Sequence, residues 1–330
     1  MQKKMYSTPV VVLAIVGACL TLLMNCIFLG VTVVTSVTAA VESFRSENIY
    51  DAIEPYIEDG TIGGESGNEG GTKDDAEKDM EGVDPSTEAL ADIPTYTAEG
   101  TTVTYETETY QLTKKIGNSG AVLLNVKYPV ISGIDEAKAA EINKALMDQA
   151  MVSADQYYLN VAERSKVEGD ANGSIYIISE VNYQVTYLSN DFISVVYEDN
   201  YCPGNYSTQY MDMRSCNIDL NTGKSYELSE IVNADEDLAD DFQDELDDKY
   251  QYNEVIEGIS KEEYVAMLKG EKTDDGSFMG FYRTQDGLQL YVTFHYYGES
   301  TSVVGWLTAP YSLDDIKEYA KDSDLWTILQ

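Results

Sequence analysis

The chain has 330 residues, which suggests about two compact units at roughly 150 residues per domain and excludes a single small domain. Its 58 acidic residues against 21 basic ones give a net charge of -37. Such a surface repels phosphate backbones, so no nucleic-acid partner is expected. One histidine and four cysteines are too few for a zinc site of His and Cys ligands or an iron–sulfur cluster. We therefore expect no metal and no cofactor.

An uncharged apolar segment occupies residues 9–41, and residues 10–29 alone supply the ~20 apolar residues that cross a hydrocarbon core. Lys3 and Lys4 precede this transmembrane helix without any acid, whereas acidic residues follow it. Basic residues stay on the cytoplasmic side, so residues 1–8 are predicted to be a short cytoplasmic tail. The sequence thus predicts a single-pass protein of the cell membrane with an extracytoplasmic C-terminal domain.

Two processing alternatives remain open for this segment. Residues 16–19, which end in Cys19, loosely resemble a lipoprotein box, although the chain stays apolar beyond them. Small side chains at Val37, Ala39 and Ala40 resemble a signal-peptidase cleavage site. The apolar stretch before them is far longer than the ~7 to 15 residues of a cleavable signal peptide, so a permanent anchor is favoured.

An acidic linker is predicted for residues 42–100. Between Gly60 and Pro94 the chain is rich in Gly, Glu, Asp, Ser and Asn and has few aliphatic side chains. This composition buries too little apolar surface to offset the entropy lost on ordering. We expect the linker to be disordered and to hold the outer domain away from the membrane surface.

The rest of the chain has the periodicity of an α+β protein. Strands are predicted where branched and aromatic residues alternate or cluster, at residues 101–112, 121–130, 175–187, 192–201 and 208–220. A long amphipathic helix is predicted at residues 135–163, where apolar residues recur at helical spacing without Gly or Pro. Turn residues at 189–191 and 203–205 favour an antiparallel meander of the last three strands.

The C-terminal part is predicted to hold shorter elements. Two helices are predicted at residues 235–250 and 262–269. A second hairpin is predicted from strands at residues 278–283 and 288–297. Ser312 and Asp315 have the spacing of a capping box and predict a last helix through Tyr319. Strands in hairpins with helices between them indicate an α+β fold without parallel βαβ units. We divide this region into a first domain at residues 101–224 and a second at residues 225–330.

Two cysteines, Cys202 and Cys216, lie in the region predicted to be extracytoplasmic, where thiols oxidise, and a disulfide between them is one alternative. If the chain turns at residues 203–205, however, Cys216 pairs deep along the preceding strand and does not face Cys202. The disulfide and two free thiols are equally favoured by the sequence.

Tyrosine is abundant, with 26 copies against 7 Phe and 2 Trp, and Tyr201, Tyr206 and Tyr210 cluster around one predicted turn. Exposed tyrosines give rigid contact area for sugars or proteins, so these three are the candidate ligand-binding residues. The alternative is that they only pack along the sheet, which the strand preference of tyrosine favours.

No pattern identifies catalytic residues. For His295, the only histidine, the strand pattern favours a half-buried structural role over that of a base. No Ser or Cys nucleophile matches it by spacing, and carboxylates are too numerous for two to be chosen as a glycosidase dyad. The acidic residues at 235–248 do not match a calcium loop, because Leu238 stands where Gly is required. We predict a protein that is not an enzyme.

Several segments, taken in order, resemble a known family. They are residues 128–131, 192–197, 217–224, 290–294 and 309–312, with Asp219-Leu220-Asn221-Thr222-Gly223-Lys224 as the most specific. Together they resemble the paired extracytoplasmic domains of unknown function found in the anti-sigma factor RsiV and before the peptidoglycan deacetylase PdaC, over residues 105–320. The resemblance implies an α+β module of a Gram-positive envelope and, from the anti-sigma relative, lysozyme binding followed by cleavage near the membrane. We expect neither a sigma-binding nor a deacetylase domain.

The sequence therefore predicts a membrane-anchored extracytoplasmic domain that binds a cell-wall polymer or a cationic protein such as lysozyme. One alternative is a signalling protein whose outer domain is released by cleavage near Ala40. A weaker alternative is an envelope hydrolase that uses two of the many carboxylates.

Overall fold

The computed structural model describes residues 89–116, 120–160, 166–170, 173–206, 208–250, 258–297 and 302–329. The predicted tail, the membrane segment, most of the linker and the candidate cleavage residues Val37, Ala39 and Ala40 lie outside the described residues. No helix within the described ranges is long and apolar enough to span a membrane. Nearly all of the described residues belong to one compact unit.

The larger of two sheets has six strands, in the spatial order β2-β3-β4-β5-β6, with β1 beside the end of β4. These strands are β1 (Tyr96–Thr97), β2 (Thr104–Ile116), β3 (Gly120–Ser132), β4 (Tyr176–Leu188), β5 (Phe192–Gly204) and β6 (Tyr210–Asp219). The last three pair antiparallel, which confirms the predicted meander. The α+β class is likewise confirmed, with a mixed rather than purely antiparallel sheet.

The mixed character comes from β3 and β4, which pair in parallel, with Ala121 opposite Tyr176 and Val126 opposite Val181. The prediction that the fold lacks parallel βαβ units was wrong at this point. Helix α1 (Glu136–Ala150) connects these two strands. The connection is long enough for the crossover that parallel strands require, and strand periodicity alone does not reveal pairing direction.

Helix α1 begins after Asp135, whose side chain accepts a hydrogen bond of 3.1 Å from the backbone N of Lys138. This N-cap satisfies one of the free amides of the first turn. The helix buries Ile142, Leu146 and Ala150. It is shorter than predicted, because the backbone leaves helical geometry at Met151 and continues as α2 (Val152–Ala154) and a π-helical turn (Asp155–Leu159).

The smaller sheet consists of β7 (Phe278–Arg283), β8 (Gly287–Tyr297) and β9 (Ser302–Ser312), all antiparallel. The β7–β8 hairpin confirms the prediction, whereas β9 was not predicted. The accompanying helices are α3 (Leu228–Ile231), α4 (Glu236–Tyr250), α5 (Lys261–Leu268), α6 (Leu313–Ile316) and α7 (Leu325–Ile328). Ser312 caps α6 as predicted and accepts a hydrogen bond from the backbone N of Asp315.

An apolar core lies between the smaller sheet and these helices and includes Leu238, Phe242, Tyr264, Leu268, Phe281, Leu290, Phe294 and Leu307. A second apolar cluster joins the two sheets and contains Val196, Met213, Tyr282, Tyr291 and Trp306. The division into domains at residues 224 and 225 stays a prediction. It falls at the passage from the larger sheet to the elements around the smaller one.

Candidate functional site

Four titratable side chains form a buried network, three of them on the face of the larger sheet that α1 covers and the fourth, His295, on β8 of the smaller sheet. Asp199 on β5 lies directly opposite Asp212 on β6, and Arg214 follows two residues later on the same face. The Nη2 of Arg214 is 2.8 Å from a carboxylate oxygen of Asp199, and His295 Nε2 is 2.7 Å from Asp212. All four residues are buried. Arg214 thus lies within 4.0 Å of both carboxyl groups, and His295 contacts one of them.

Further hydrogen bonds tie this network to the end of α1 and to β4. The Nε of Arg214 donates to the carbonyl oxygen of Gln149, 3.3 Å away, and the hydroxyl of Ser179 donates to Asp199 at 3.0 Å. Burial raises the pKa of Asp199, and Arg214 opposes that shift. Burial disfavours the charged form of Arg214, yet Asp199 and Asp212 hold its pKa above the ordinary value. The guanidinium of Arg214 therefore lies between the two buried carboxyl groups that oppose the cost of its burial.

His295 is fully buried, deeper than the half-buried position predicted for it. Its Nδ1 is 3.0 Å from the carbonyl oxygen of Asp275, and its Nε2 faces the carboxylate of Asp212. Both ring nitrogens therefore lie within hydrogen-bond distance of an oxygen atom. Among the described residues, no group of three or more His, Cys, Asp and Glu side chains is placed to hold a metal ion.

A stack of aromatic rings continues from this network toward the surface. The rings of Tyr201 and Tyr210 stack with centroids 5.0 Å apart, and Tyr157 stacks on Tyr201 at 5.7 Å. Tyr210 also meets His295 edge to face at 4.9 Å. Of the three tyrosines predicted to bind ligand, the structure brings Tyr201 and Tyr210 together. Tyr206 is exposed and packs against Tyr176 instead.

The outer rings of the stack border an open cleft of about 470 Å³. Its lining combines two aromatic rings with a polar rim and consists of Tyr157, Lys166, Val167, Glu168, Pro203, Asn205, Thr208 and Tyr210. Burial, followed by the charge of Asp212, raises the pKa of Tyr157, so its phenol remains a hydrogen-bond donor at neutral pH. Tyr201 is buried beneath the cleft.

Gly204 shapes one wall of this cleft. It has a φ of +138°, and a Cβ there would lie 2.2 Å from Val167 and 2.4 Å from the carbonyl oxygen of Glu168. Only glycine permits this close approach without displacing backbone. The turn predicted at residues 203–205 begins later, because β5 continues through Gly204.

The structure excludes a disulfide between Cys202 and Cys216, one of the two alternatives left open by the sequence. Cys202 and Cys216 are both free and buried. Cys216 lies opposite Val195, and Cys202 lies roughly 20 Å farther along β5, at about 3.3 Å per residue. A disulfide requires Cα atoms within about 7 Å, so the strand register excludes it. Burial raises the pKa of Cys216 to about 12, which makes its thiol unreactive.

No protein-family model and no curated protein matches the chain. The chain is similar in structure to a member of the DUF3298 family from Bacteroides fragilis, with a TM-score of 0.41 and 16% identity, over 70% of this chain and 99% of that chain. It is also similar to a DUF3298 family protein from Pseudomonas aeruginosa, with a TM-score of 0.35 and 10% identity, over 67% of this chain and 95% of that chain. The structural neighbours are thus domains of unknown function, and the likeness to RsiV stays a prediction.

Proposed function

We propose that this chain is a membrane-anchored, extracytoplasmic binding protein that recognises a cell-wall glycan in the cleft lined by Tyr157 and Tyr210. The observation that carries the proposal is the combination of two tyrosine side chains and a polar rim in one open cleft. Its volume of about 470 Å³ lies in the usual range of small-ligand sites. The anchor at residues 9–41 is part of the proposal.

The chemistry of a sugar suits this lining. A pyranose ring presents apolar C–H groups on its faces and hydroxyls around its edge. Tyrosine rings give amphipathic contact area at low entropic cost, and side chains such as Glu168, Asn205 and Thr208 offer acceptors and donors for hydroxyls. The ring of Tyr210 packs against Tyr201 and His295, so its position in the cleft lining is fixed before a ligand binds.

A second candidate ligand is a cationic protein such as lysozyme. Helix α4 exposes a row of carboxylates at Asp237, Asp240, Asp244 and Asp248, and the whole chain carries a net charge of -37. The electrostatic field of these negative charges accelerates association with a basic protein, and the effect weakens as the salt concentration rises. This ligand would not require the cleft.

The two ligands are separable by one binding experiment on the full-length chain in detergent, with soluble peptidoglycan fragments in one arm and lysozyme in the other. Replacing Tyr210 by Ala is expected to weaken fragment binding about tenfold or more, because the cleft loses one of its two aromatic side chains. Tyr206→Ala is the matched control, since Tyr206 lies outside the cleft lining. It should change binding less than twofold.

Near-ultraviolet circular dichroism should first show that both variants keep their tertiary packing. Equal effects of the two substitutions, or no fragment binding by the parent chain at low salt, would refute the glycan proposal. Lysozyme binding that weakens steeply with salt and is unchanged by Tyr210→Ala would instead support a cationic protein as the ligand. Release of the outer domain by cleavage near Ala40 stays a prediction, and an envelope hydrolase is not supported by any arrangement described above.

A further inference from the structure

Both ring nitrogens of His295 face oxygen atoms, and one of these oxygens can only accept a hydrogen bond. Nδ1 is 3.0 Å from the backbone carbonyl oxygen of Asp275, and Nε2 is 2.7 Å from a carboxyl oxygen of Asp212. A carbonyl oxygen has no proton to donate, whereas the carboxyl group of Asp212 donates only if it is protonated. Both contacts are therefore hydrogen bonds only when His295 and Asp212 together hold one proton more than a neutral imidazole beside a carboxylate.

Loss of that proton leaves one of the two contacts without a hydrogen. A neutral imidazole carries a single N–H, so either Nδ1 or Nε2 then presents its lone pair to the oxygen atom beside it. His295 is 3% exposed, and an unsatisfied polar contact in such a buried place costs free energy. The neutral ring is therefore less stable in this position than a ring that shares the extra proton with Asp212.

The charged groups that face the pair are mostly acidic. On β6 and β5, Arg214 lies 4.0 Å from Asp212 and 2.8 Å from Asp199, so one guanidinium is shared by two carboxyl groups. In the segment before β7, burial opposes ionisation of the Asp275 carboxyl group, but hydrogen bonds from neighbouring residues and the charge of His295 hold its pKa below the ordinary value. An extra proton on the pair therefore offsets part of an excess of negative charge.

The ring of His295 also supports the proposed ligand cleft. It meets the ring of Tyr210 edge to face at 4.9 Å, and Tyr210 lines the cleft. The phenols of Tyr157 and Tyr201 lie on the same side of the network. Burial, followed by the charge of Asp212, raises the pKa of both phenols, so neither of them ionises together with the pair. A change in the position of His295 thus reaches a cleft residue through one direct ring contact.

We propose that the proton shared by His295 and Asp212 regulates ligand binding in the cleft, with His295 as a positioning residue for Tyr210. This regulation rests on the proposed glycan function of the cleft. While the pair holds the proton, the His295 ring keeps Tyr210 in the position that binds the glycan. When the proton leaves, the ring moves away from its unsatisfied contact and Tyr210 loses that support. The affinity for the glycan therefore decreases as pH rises, in one step that belongs to the pair and not to either residue alone.

The test measures binding of soluble peptidoglycan fragments to the full-length chain in detergent between pH 5.5 and pH 9, at constant ionic strength. We expect the affinity of the parent chain to fall at least about fivefold as pH rises. In Asp212→Asn the new amide donates to Nε2 while Nδ1–H donates to the Asp275 carbonyl oxygen, so both contacts persist without a titrating proton. This variant should bind with nearly constant affinity over the same range. It also controls for titration of the fragments themselves.

A second readout uses the parent chain alone. His295 is the only histidine in the sequence, so the ¹⁵N resonances of its ring are unambiguous. They should report one proton step, and this step should move to higher pH when fragments are bound, because proton and ligand favour the same state. The near-ultraviolet circular dichroism of the tyrosines should change through the same step.

The outcomes separate this regulation from the glycan function. A parent affinity that does not change with pH, or a decrease that persists in Asp212→Asn, overturns the regulation and leaves the glycan proposal standing. If no fragment binds at any pH, the glycan proposal fails and the tyrosine signal decides the coupling. A near-ultraviolet change that follows the His295 step then supports the coupling, and a constant signal overturns it.

Discussion

Replacing Arg214 by Met is expected to destabilise the folded chain by about 3–5 kcal/mol, because it leaves two carboxylates buried without their shared cation. Asp199 and Asp212 are directly opposite each other on neighbouring strands, and Arg214 is the charge between them. The loss should be measured as the free energy of unfolding from urea titrations at pH 7.

Lys144→Met is a matched control for this substitution, because Lys144 pairs with Asp148 on the exposed face of α1. An exposed pair of this type contributes about 0.3–0.5 kcal/mol. Adding Asp199→Asn to Arg214→Met should recover part of the loss, since it removes one of the uncompensated charges. If Arg214→Met costs no more than Lys144→Met, the network does not stabilise the fold as described.

Replacing Glu180 by Gln is expected to stabilise the chain at pH 7.5 by about 2 kcal/mol. Glu180 is 4% exposed on β4, and burial raises its pKa to about 6, with Lys127 opposing the shift and Glu198 adding to it. The folded chain therefore binds this proton more tightly than the unfolded chain. Protonated Glu180 therefore stabilises the folded chain, and this contribution is complete below about pH 4.5 and is lost as pH rises through about 6. At about 1.4 kcal/mol per pH unit, this difference amounts to about 2 kcal/mol.

The measurement compares free energies of unfolding for the parent chain and Glu180→Gln at pH 7.5 and pH 4. Gln imitates the protonated acid, so the free energy of unfolding of Glu180→Gln should exceed that of the parent chain at pH 7.5 and equal it at pH 4. Glu106→Gln on the exposed strand β2 controls for the general relief of negative charge and should show no such difference between the two pH values. An equal gain at both pH values, or a loss at pH 7.5, would contradict the argument.

Several elements could be predicted from the sequence because their causes are local. Helix α5 and the β7–β8 hairpin follow from spacing and turn residues within a few positions, and the cap at Ser312 uses an amide three residues away. Three tyrosines clustered at one predicted turn, and of these Tyr201 and Tyr210 stack together whereas Tyr206 lies outside the cleft lining. Residues 1–88, which contain the predicted anchor, lie outside the described part of the chain, so that part of the interpretation still depends on sequence alone.

Other features depended on contacts that sequence order does not encode. Tyr157 comes from the end of a predicted helix, and its place beside Tyr201 follows from where α1 lies on the sheet. His295 reaches Asp212 across 83 positions, through the packing of the smaller sheet on the larger one. The sequence by itself determined the local elements and the charge of this protein, since these depend on neighbours along the chain. Only the tertiary structure decided which buried charges are paired and which tyrosines border the cleft, because both follow from strand register and sheet packing.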